Sequence, residues 1–314
     1  MRQTTGPDTK MTAKPLPKSR RFSMSKQEAL WAYVFIAPVV LGLAVFYMVP
    51  AIGSLVLSFF DWDGLSRASF VGLDNFAALV KDEDFLRSMW NTFLFTAGSV
   101  PLSIVCATIV AVLLNQPIRG LPIYRTLFFI PVVTMPVAIG MVWRWLYNSD
   151  FGLFNQLLGF LHLPQPNWLF DPKLALFSII LVSVWSGIGY NAIILLSGLQ
   201  GISRTYYEAS SLDGAGGWRN FIHITVPLLS PSLFFVLIIS FINSLQVFDL
   251  IYMMMGKDQS MLTYTRTAVF SIWEQGFKFF HLGYASAQAW VLSVVLMTIT
   301  LVQMYFQKKW VHYE

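Results

Sequence analysis

Long runs without a charged residue are the feature that most constrains how this chain folds. Five such runs cover residues 29–60, 91–118, 174–202, 221–248 and 282–307, and a shorter one covers 127–143. A helix needs about 20 apolar residues to cross a hydrocarbon core about 30 Å thick. The pattern predicts an all-α membrane protein with six transmembrane helices, over about residues 31–55, 90–114, 126–147, 174–199, 228–250 and 283–307.

The basic residues predict how these helices are oriented. Residues 1–26 are rich in Lys and Arg, and Arg119, Arg204 and Lys308 lie in or after alternate connections, whereas most acidic residues lie in the others. Lys and Arg are retained on the cytoplasmic side of a membrane, so both termini are predicted to be cytoplasmic. Membrane topology thus accounts for the sequence pI of about 9.3, and no nucleic-acid partner is expected.

The domain organisation follows from the same pattern. Residues 1–25 are polar and basic, which predicts a disordered cytoplasmic tail. Residues 26–314 are predicted to form one transmembrane domain in contact with the lipid bilayer.

A polar stretch between the fourth and fifth predicted spans, YYEASSLDGAGGWRNFIHITVPLLSP, calls for a separate explanation. Ser203 is a suitable N-cap and Gly214 tolerates a positive φ, so a short helix is predicted over about 203–213. Pro227 then marks the start of the fifth span. The residues alone allow two interpretations: an ordinary loop with a glycine turn, or a short helix across the end of the bundle that a partner protein can move.

This stretch resembles the cytoplasmic signature of ABC importer permeases, which is Glu-Ala-Ala, three residues, Gly, nine residues, Ile-x-Leu-Pro. The spacing is kept, and the departures are Ser210 for the second Ala and Val226 for Leu. Segments including WAYVFIAPVVLGLAVFYMVP and YRTLFFIPVVTMPVAIGMVWRWLYN resemble the carbohydrate-uptake branch, which contains the maltose and glycerol-3-phosphate permeases. The resemblance implies a coupling helix that docks on an ATPase, with the coupling residues Glu208, Ala209, Ser210, Asp213, Gly214, Ile224 and Pro227.

The resemblance also implies the partners and the cellular location. These are a second, homologous but different permease subunit that forms a heterodimer with this chain, two cytoplasmic ATPase subunits and an extracytoplasmic solute-binding protein, in a bacterial or archaeal inner or plasma membrane. The sequence contains no G-x-x-x-x-G-K-[ST] phosphate-binding loop, and its histidines are scattered. The chain is therefore expected to be a non-catalytic subunit without a cofactor or metal of its own, and the ATP and Mg are expected to be used by the partner ATPases.

Polar groups within spans are costly and usually face a protein interior or a pathway. Aromatic rings and amides suit the CH faces and hydroxyls of a sugar. The candidate pathway residues on this basis are Trp185, Tyr190, Asn191, Asn243, Gln246, Tyr284 and Gln288. The alternative for each amide is a hydrogen bond to a neighbouring helix.

The expected substrate is a carbohydrate, namely a di- or oligosaccharide or a related polyol glycoside. Glycerol-3-phosphate or another small solute is the alternative, although an anion would require a cation in the pathway. A self-sufficient secondary carrier is an alternative of a different class, which predicts mid-span ionisable residues and inverted repeats. A membrane-embedded enzyme would need a reactive set of side chains, and the sequence shows none.

Overall fold

The computed structural model describes residues 26–256 and 259–310. The chain divides into two units, Met1–Ile52 and Gly53–Glu314. The described part of the first unit is helical, and the second unit carries the remaining elements. The disordered tail predicted over residues 1–25 lies outside the described residues.

The described residues are predominantly helical, with one short hairpin. In chain order the elements are α1 (Lys26–Leu43), a π-helical turn (Ala44–Met48), α2 (Val49–Leu57), β1 (Phe60–Asp61), β2 (Ser69–Phe70), α3 (Asp74–Leu79), α4 (Glu83–Leu114), α5 (Leu121–Val133), α6 (Pro136–Leu146), α7 (Leu153–Phe160), α8 (Ala175–Gly201), α9 (Arg204–Leu212), α10 (Gly217–Asn220), a π-helical turn (Phe221–Thr225), α11 (Val226–Leu245), α12 (Asp249–Met255), α13 (Gln259–Thr265), α14 (Ala268–Trp273), a π-helical turn (Glu274–Lys278) and α15 (Leu282–Trp310). Strands β1 and β2 pair antiparallel.

Five of the six predicted spans are single helical segments in the described ranges. They are Glu28–Leu57, Glu83–Leu114, Ala175–Gly201, Gly217–Leu245 and Leu282–Lys308. The span predicted over about 126–147 is instead a pair of helices, α5 and α6, bent by 100°. The count of six spans therefore holds when this bent pair is taken as one.

The bend between α5 and α6 has a cause in the sequence. Pro136 is the first residue of α6, and a proline disfavours the helical conformation at the residue before it. Met135 accordingly has a ψ of 131°, and Thr134 before it is also extended, with a ψ of 136°. Helix α6 is held in place by α12, a contact that the sequence does not reveal. The two helices approach closely, since a Cβ on Gly140 would lie 2.7 Å from Cβ of Met253.

The fifth span also ends earlier than the sequence predicts. Helix α11 stops at Leu245, and the chain leaves the helical conformation at Phe248 before α12 begins at Asp249. The prediction continued the helix to residue 250, which placed Asn243 and Gln246 on one helical face. The break after Leu245 puts Gln246 at the C-cap instead.

Helices α4 and α8 pack along one another, and α11 packs against both. Phe95, Ile179, Leu195 and Leu229 are completely buried in this contact region. Small residues allow close approach, as is common between membrane helices. A Cβ on Gly189 of α8 would lie 2.0 Å from the carbonyl oxygen of Phe128 in α5, so this contact requires glycine.

The loops at the two ends of this bundle differ in structure. At one end, which we call the α9 end, α4 and α8 finish beside α9 and α10. At the opposite end, α13 and α14 are fixed to the start of α4. The guanidinium group of Arg266 there forms ion pairs with Asp84 (3.3 Å) and Glu274 (3.2 Å). The side chain of Asn91 donates to the carbonyl oxygens of Thr263 and Arg266.

Candidate functional site

The helix predicted over about 203–213 is present as α9. Ser203 is its N-cap, and its hydroxyl accepts a hydrogen bond from the backbone N–H of Thr205. At the other end, the N–H of Ala215 donates to the carbonyl of Ser210 over 3.1 Å. Gly214 has a φ of +74°, which glycine adopts without a steric cost. The sequence therefore predicted both ends of this helix correctly.

One face of α9 is bound to the segment that leads into α11. The hydroxyl of Tyr207 lies 3.0 Å from the hydroxyl of Thr225. The hydroxyl of Ser210 donates to Oδ1 of Asn220 over 2.5 Å. Tyr207 and Ser210 are three residues apart and therefore share a face of the helix. Two side-chain contacts therefore connect α9 to the segment that leads into the fifth span.

The other face of α9 is exposed. Glu208, Ala209, Asp213 and Gly214 are all exposed, and 89% of the surface of Leu212 is accessible. The Glu208 carboxylate has no hydrogen-bond or ionic partner in the described part of the chain. This face, a carboxylate and a leucine beside small residues, is open to another protein.

The last two residues of the predicted signature lie in the lead-in to the fifth span. Ile224 is half-buried in the π-helical turn before α11, and Pro227 is half-buried in the first turn of α11.

Three of the candidate pathway residues meet at one cavity. Tyr190, Asn191 and Asn243 line a cavity of about 210 Å³ between α4, α8 and α11. The amide nitrogen of Asn191 donates to the hydroxyls of Ser103 (3.0 Å) and Ser240 (3.3 Å). The side chain of Asn191 thus joins three helices, and Asn243 is exposed.

The same cavity is lined by serines that the sequence analysis did not single out. These are Ser99, Ser103, Ser183, Ser240 and Ser244. A signal for four of them is present in the sequence, because Ser99 and Ser103, like Ser240 and Ser244, are spaced by one helical turn. Ser99 is buried, and its hydroxyl has no hydrogen-bond partner in the described part of the chain. The cavity lining presents hydroxyls and amides beside apolar side chains and contains no charged side chain.

The other four candidates do not line this cavity. The Trp185 ring packs edge-on against Trp143, with centroids 5.2 Å apart. The Tyr284 hydroxyl donates to Asp82, the N-cap residue of α4. Gln288 is completely buried. Gln246 is exposed at the end of α11. Among the described residues, no group of three or more His, Cys, Asp and Glu could hold a metal ion.

Comparison with known sequences identifies one family. Residues 76–312 match the family described as "Binding-protein-dependent transport system inner membrane component". The probable ABC transporter permease protein YesP of Bacillus subtilis (strain 168) is 36% identical over 96% of this chain and 97% of its own length.

Two further relatives carry the name of a solute. The sn-glycerol-3-phosphate transport system permease protein UgpA of Agrobacterium fabrum is 32% identical over 90% of this chain and 96% of its own length. The lactose transport system permease protein LacF of Rhizobium radiobacter is 32% identical over 91% of this chain and 96% of its own length.

The fold is also that of a solved transporter subunit. A chain of the bacterial alginate ABC transporter, crystallised with an alginate pentasaccharide-bound periplasmic protein, superposes with a TM-score of 0.81. The match covers 90% of this chain and 96% of that chain at 20% identity. The fold class predicted from the sequence is therefore confirmed.

Proposed function

This chain belongs to the family of binding-protein-dependent transport system inner membrane components, and on that premise we propose that it is the permease subunit of an ATP-driven carbohydrate importer. It forms half of the translocation pathway, and a second, homologous permease subunit forms the other half. A solute-binding protein delivers the sugar on the extracytoplasmic side. The α9 end, with both chain termini, faces the cytoplasm.

The observation that carries the proposal is the two-sided character of α9. Its exposed face carries Glu208 and Leu212, whereas Tyr207 and Ser210 bind it to the lead-in of the fifth span. An ATPase subunit that receives the exposed face can therefore move α11 by moving α9. Glu208, Ala209, Ser210, Asp213 and Gly214 belong to this joint, and Ile224 and Pro227 continue it into the membrane.

The work of transport comes from the ATPase partners. Two such subunits bind ATP and Mg and close around the bound ATP. Their closure shifts the permease pair between its inward-open and outward-open states. A coupling of this kind requires the partner to interact differently with the two states. The link through Tyr207 and Ser210 makes the ATPase interact differently with the two states, because it connects the ATPase contact on α9 to the position of the fifth span.

The cavity between α4, α8 and α11 favours a neutral sugar. Its serine hydroxyls and the Asn243 amide donate and accept hydrogen bonds, as sugar hydroxyls do. A phosphate group would favour a cation in the lining. The lactose permease LacF among the relatives supports a di- or oligosaccharide. Glycerol-3-phosphate is a second candidate because UgpA is equally similar to this chain.

Reconstitution of the complete transporter in proteoliposomes tests both parts of the proposal. Lactose uptake is expected to require ATP, the solute-binding protein and the ATPase subunits, with sn-glycerol 3-phosphate failing to compete. Uptake that persists without the ATPase subunits would contradict the importer mechanism. If sn-glycerol 3-phosphate competes and lactose is not taken up, the substrate is the second candidate, glycerol-3-phosphate.

A further inference from the structure

A second cavity lies at the α9 end and shares no lining residue with the first. Its volume is about 500 Å³, and its walls are the ends of α4 and α8, the first turn of α9, α10 and the π-helical turn before α11. Pockets that bind small molecules commonly measure about 300–1,000 Å³. The space is therefore large enough for a sugar of one or two rings.

Polar side chains from three elements converge on this cavity. Asn115 is the C-cap of α4 and Gln116 follows it, whereas Gln200 lies in the last turn of α8 and Arg204 in the first turn of α9. All four residues are exposed, and in the described part of the chain none of their side chains has a hydrogen-bond or ionic partner. Their donors and acceptors are thus available to a ligand.

The cavity also borders the contact that joins α9 to α11. Tyr207 and Thr225, whose hydroxyls are 3.0 Å apart, both line it. Asn220, the acceptor for Ser210, lines it as well. A molecule in the cavity would consequently touch α9 on one side and the ends of α4 and α8 on the other.

We propose that this cavity binds a polyhydroxylated solute from the α9 side, and that the bound solute holds α9 against the ends of α4 and α8. The three amides both donate and accept hydrogen bonds, as sugar hydroxyls do, and the guanidinium adds donors. The cavity lining contains no carboxylate. Amides outnumber the one cation, so the lining matches hydroxyl groups better than a phosphate.

This inference rests on the proposed function for its physiological meaning. Imported sugar that accumulates beside α9 would occupy the cavity and stabilise the state in which α9 lies against the bundle. A ligand that binds one of two states shifts the equilibrium toward that state. Import is therefore expected to slow as its product accumulates.

A cysteine-protection experiment tests the site without requiring transport. Gln200→Cys and the control Arg119→Cys, each combined with Cys106→Ser, are labelled with a maleimide in inside-out vesicles that contain the complete transporter. Arg119 is exposed and does not line the cavity. Glucose, lactose and raffinose are the probes, with sn-glycerol 3-phosphate as the anionic comparison.

At least one sugar is expected to slow the labelling of Gln200→Cys and to leave Arg119→Cys unchanged. Mass action gives about tenfold protection when the sugar is present at about ten times its Kd. Equal labelling with and without every sugar would overturn the proposal. Protection by sn-glycerol 3-phosphate alone would also overturn it, since the cavity would then be an anion site.

A transport experiment tests the regulatory part. In proteoliposomes loaded with the protecting sugar, Gln116→Ala and Gln200→Ala are expected to raise the internal concentration that halves uptake by about fivefold each, the effect of one lost hydrogen bond. Initial uptake into empty proteoliposomes is expected to be unchanged, and Gln156→Ala, at the opposite end of the bundle, should behave as wild type. Unchanged inhibition in both cavity variants would overturn the inference.

Absence of ATP-dependent uptake in the wild type would contradict the proposed function instead. The cysteine-protection experiment would still decide whether the cavity binds a sugar.

Discussion

The hydroxyl oxygen of Tyr207 lies 3.0 Å from the hydroxyl oxygen of Thr225, and this contact joins α9 to the segment that becomes α11. A second link, from Ser210 to Asn220, lies on the same face of α9. In the proposed mechanism, these two links carry the movement of α9 to the start of α11. A force that an ATPase subunit applies to the exposed face of α9 is then delivered to a transmembrane helix.

Tyr207→Phe is expected to weaken this transmission. The substitution removes one hydroxyl and keeps the ring, and a typical hydrogen bond contributes about 1 kcal/mol. Sugar uptake should fall about fivefold, while ATP hydrolysis by the assembled complex is retained. The ratio of sugar transported to ATP hydrolysed in proteoliposomes measures the effect. Tyr206→Phe is the matched control, since Tyr206 is exposed and lies outside both links; equal ratios for the two variants would refute the role of Tyr207.

Gly214→Ala is expected to impair coupling through the backbone. Gly214 has a φ of +74°, and no atom lies within 4 Å of the position that a Cβ would take, so crowding within the described chain is not the cause. A left-handed conformation costs an L-residue about 1–2 kcal/mol. The end of α9 should therefore shift, and co-purification of the ATPase subunits should decrease.

Gly216→Ala is the control for Gly214→Ala. Gly216 has a φ of −76° and likewise has no atom within 4 Å of an added Cβ. Its alanine variant should retain the ATPase subunits and wild-type uptake. If the two alanine variants behave alike, the positive φ of Gly214 is not what the joint requires.

Asn191→Ala and Asn243→Ala are expected to have different effects. Asn191 is buried and bonded to Ser103 and Ser240, so its loss should lower the free energy of unfolding by about 1–3 kcal/mol. Asn243 is exposed to the cavity, so its loss should raise the KM for the sugar with little change in stability. Thermal unfolding in detergent and uptake kinetics separate the two. A stability loss for Asn243→Ala with an unchanged KM would contradict its place in the pathway.

Gly189→Ala is expected to disrupt the packing of α5 on α8. The added Cβ would lie 2.0 Å from the carbonyl oxygen of Phe128, a backbone atom that cannot move without a shift of α5. Overpacking of this kind costs roughly 1–3 kcal/mol, so Tm and the yield of folded protein should fall. Gly187→Ala is the control, because its nearest neighbour would be Oγ of Ser103 at 3.7 Å, an ordinary contact. A stable Gly189→Ala variant would show that α5 does not approach α8 this closely.

The sequence predicts the local elements of this protein better than their interruptions. Uncharged runs mark the spans because a helix needs about 20 apolar residues to cross a bilayer. Ser203 and Gly214 mark the ends of α9 because helix capping depends only on residues close in the sequence. The break after Leu245 and the packing of α6 against α12 depend on contacts between distant segments. The pattern of residues along one helix does not carry that information.

In the candidate site, too, features set by local sequence could be predicted and those set by contacts between distant segments could not. The signature residues on α9 could be found because their spacing is local. The amides could be found as polar groups in spans, but which of them line the cavity could not. Asn191 bonds Ser103 and Ser240 across three helices, and Tyr284 bonds Asp82 at the opposite end from α9. Each of these outcomes is set by tertiary contacts.

Cross-linking at Leu212 tests the central claim most directly, because this residue is 89% exposed on the face of α9 assigned to the ATPase. The complete transporter with Leu212→Cys and Cys106→Ser is treated with a thiol-to-amine cross-linker, with Leu153→Cys on α7 as the control. We predict a covalent product between Leu212→Cys and an ATPase subunit, with a yield that changes when ATP is added, and no such product for Leu153→Cys. Labelling of Leu212→Cys by a membrane-impermeant reagent in intact cells, or the absence of any product with the ATPase, would contradict the account.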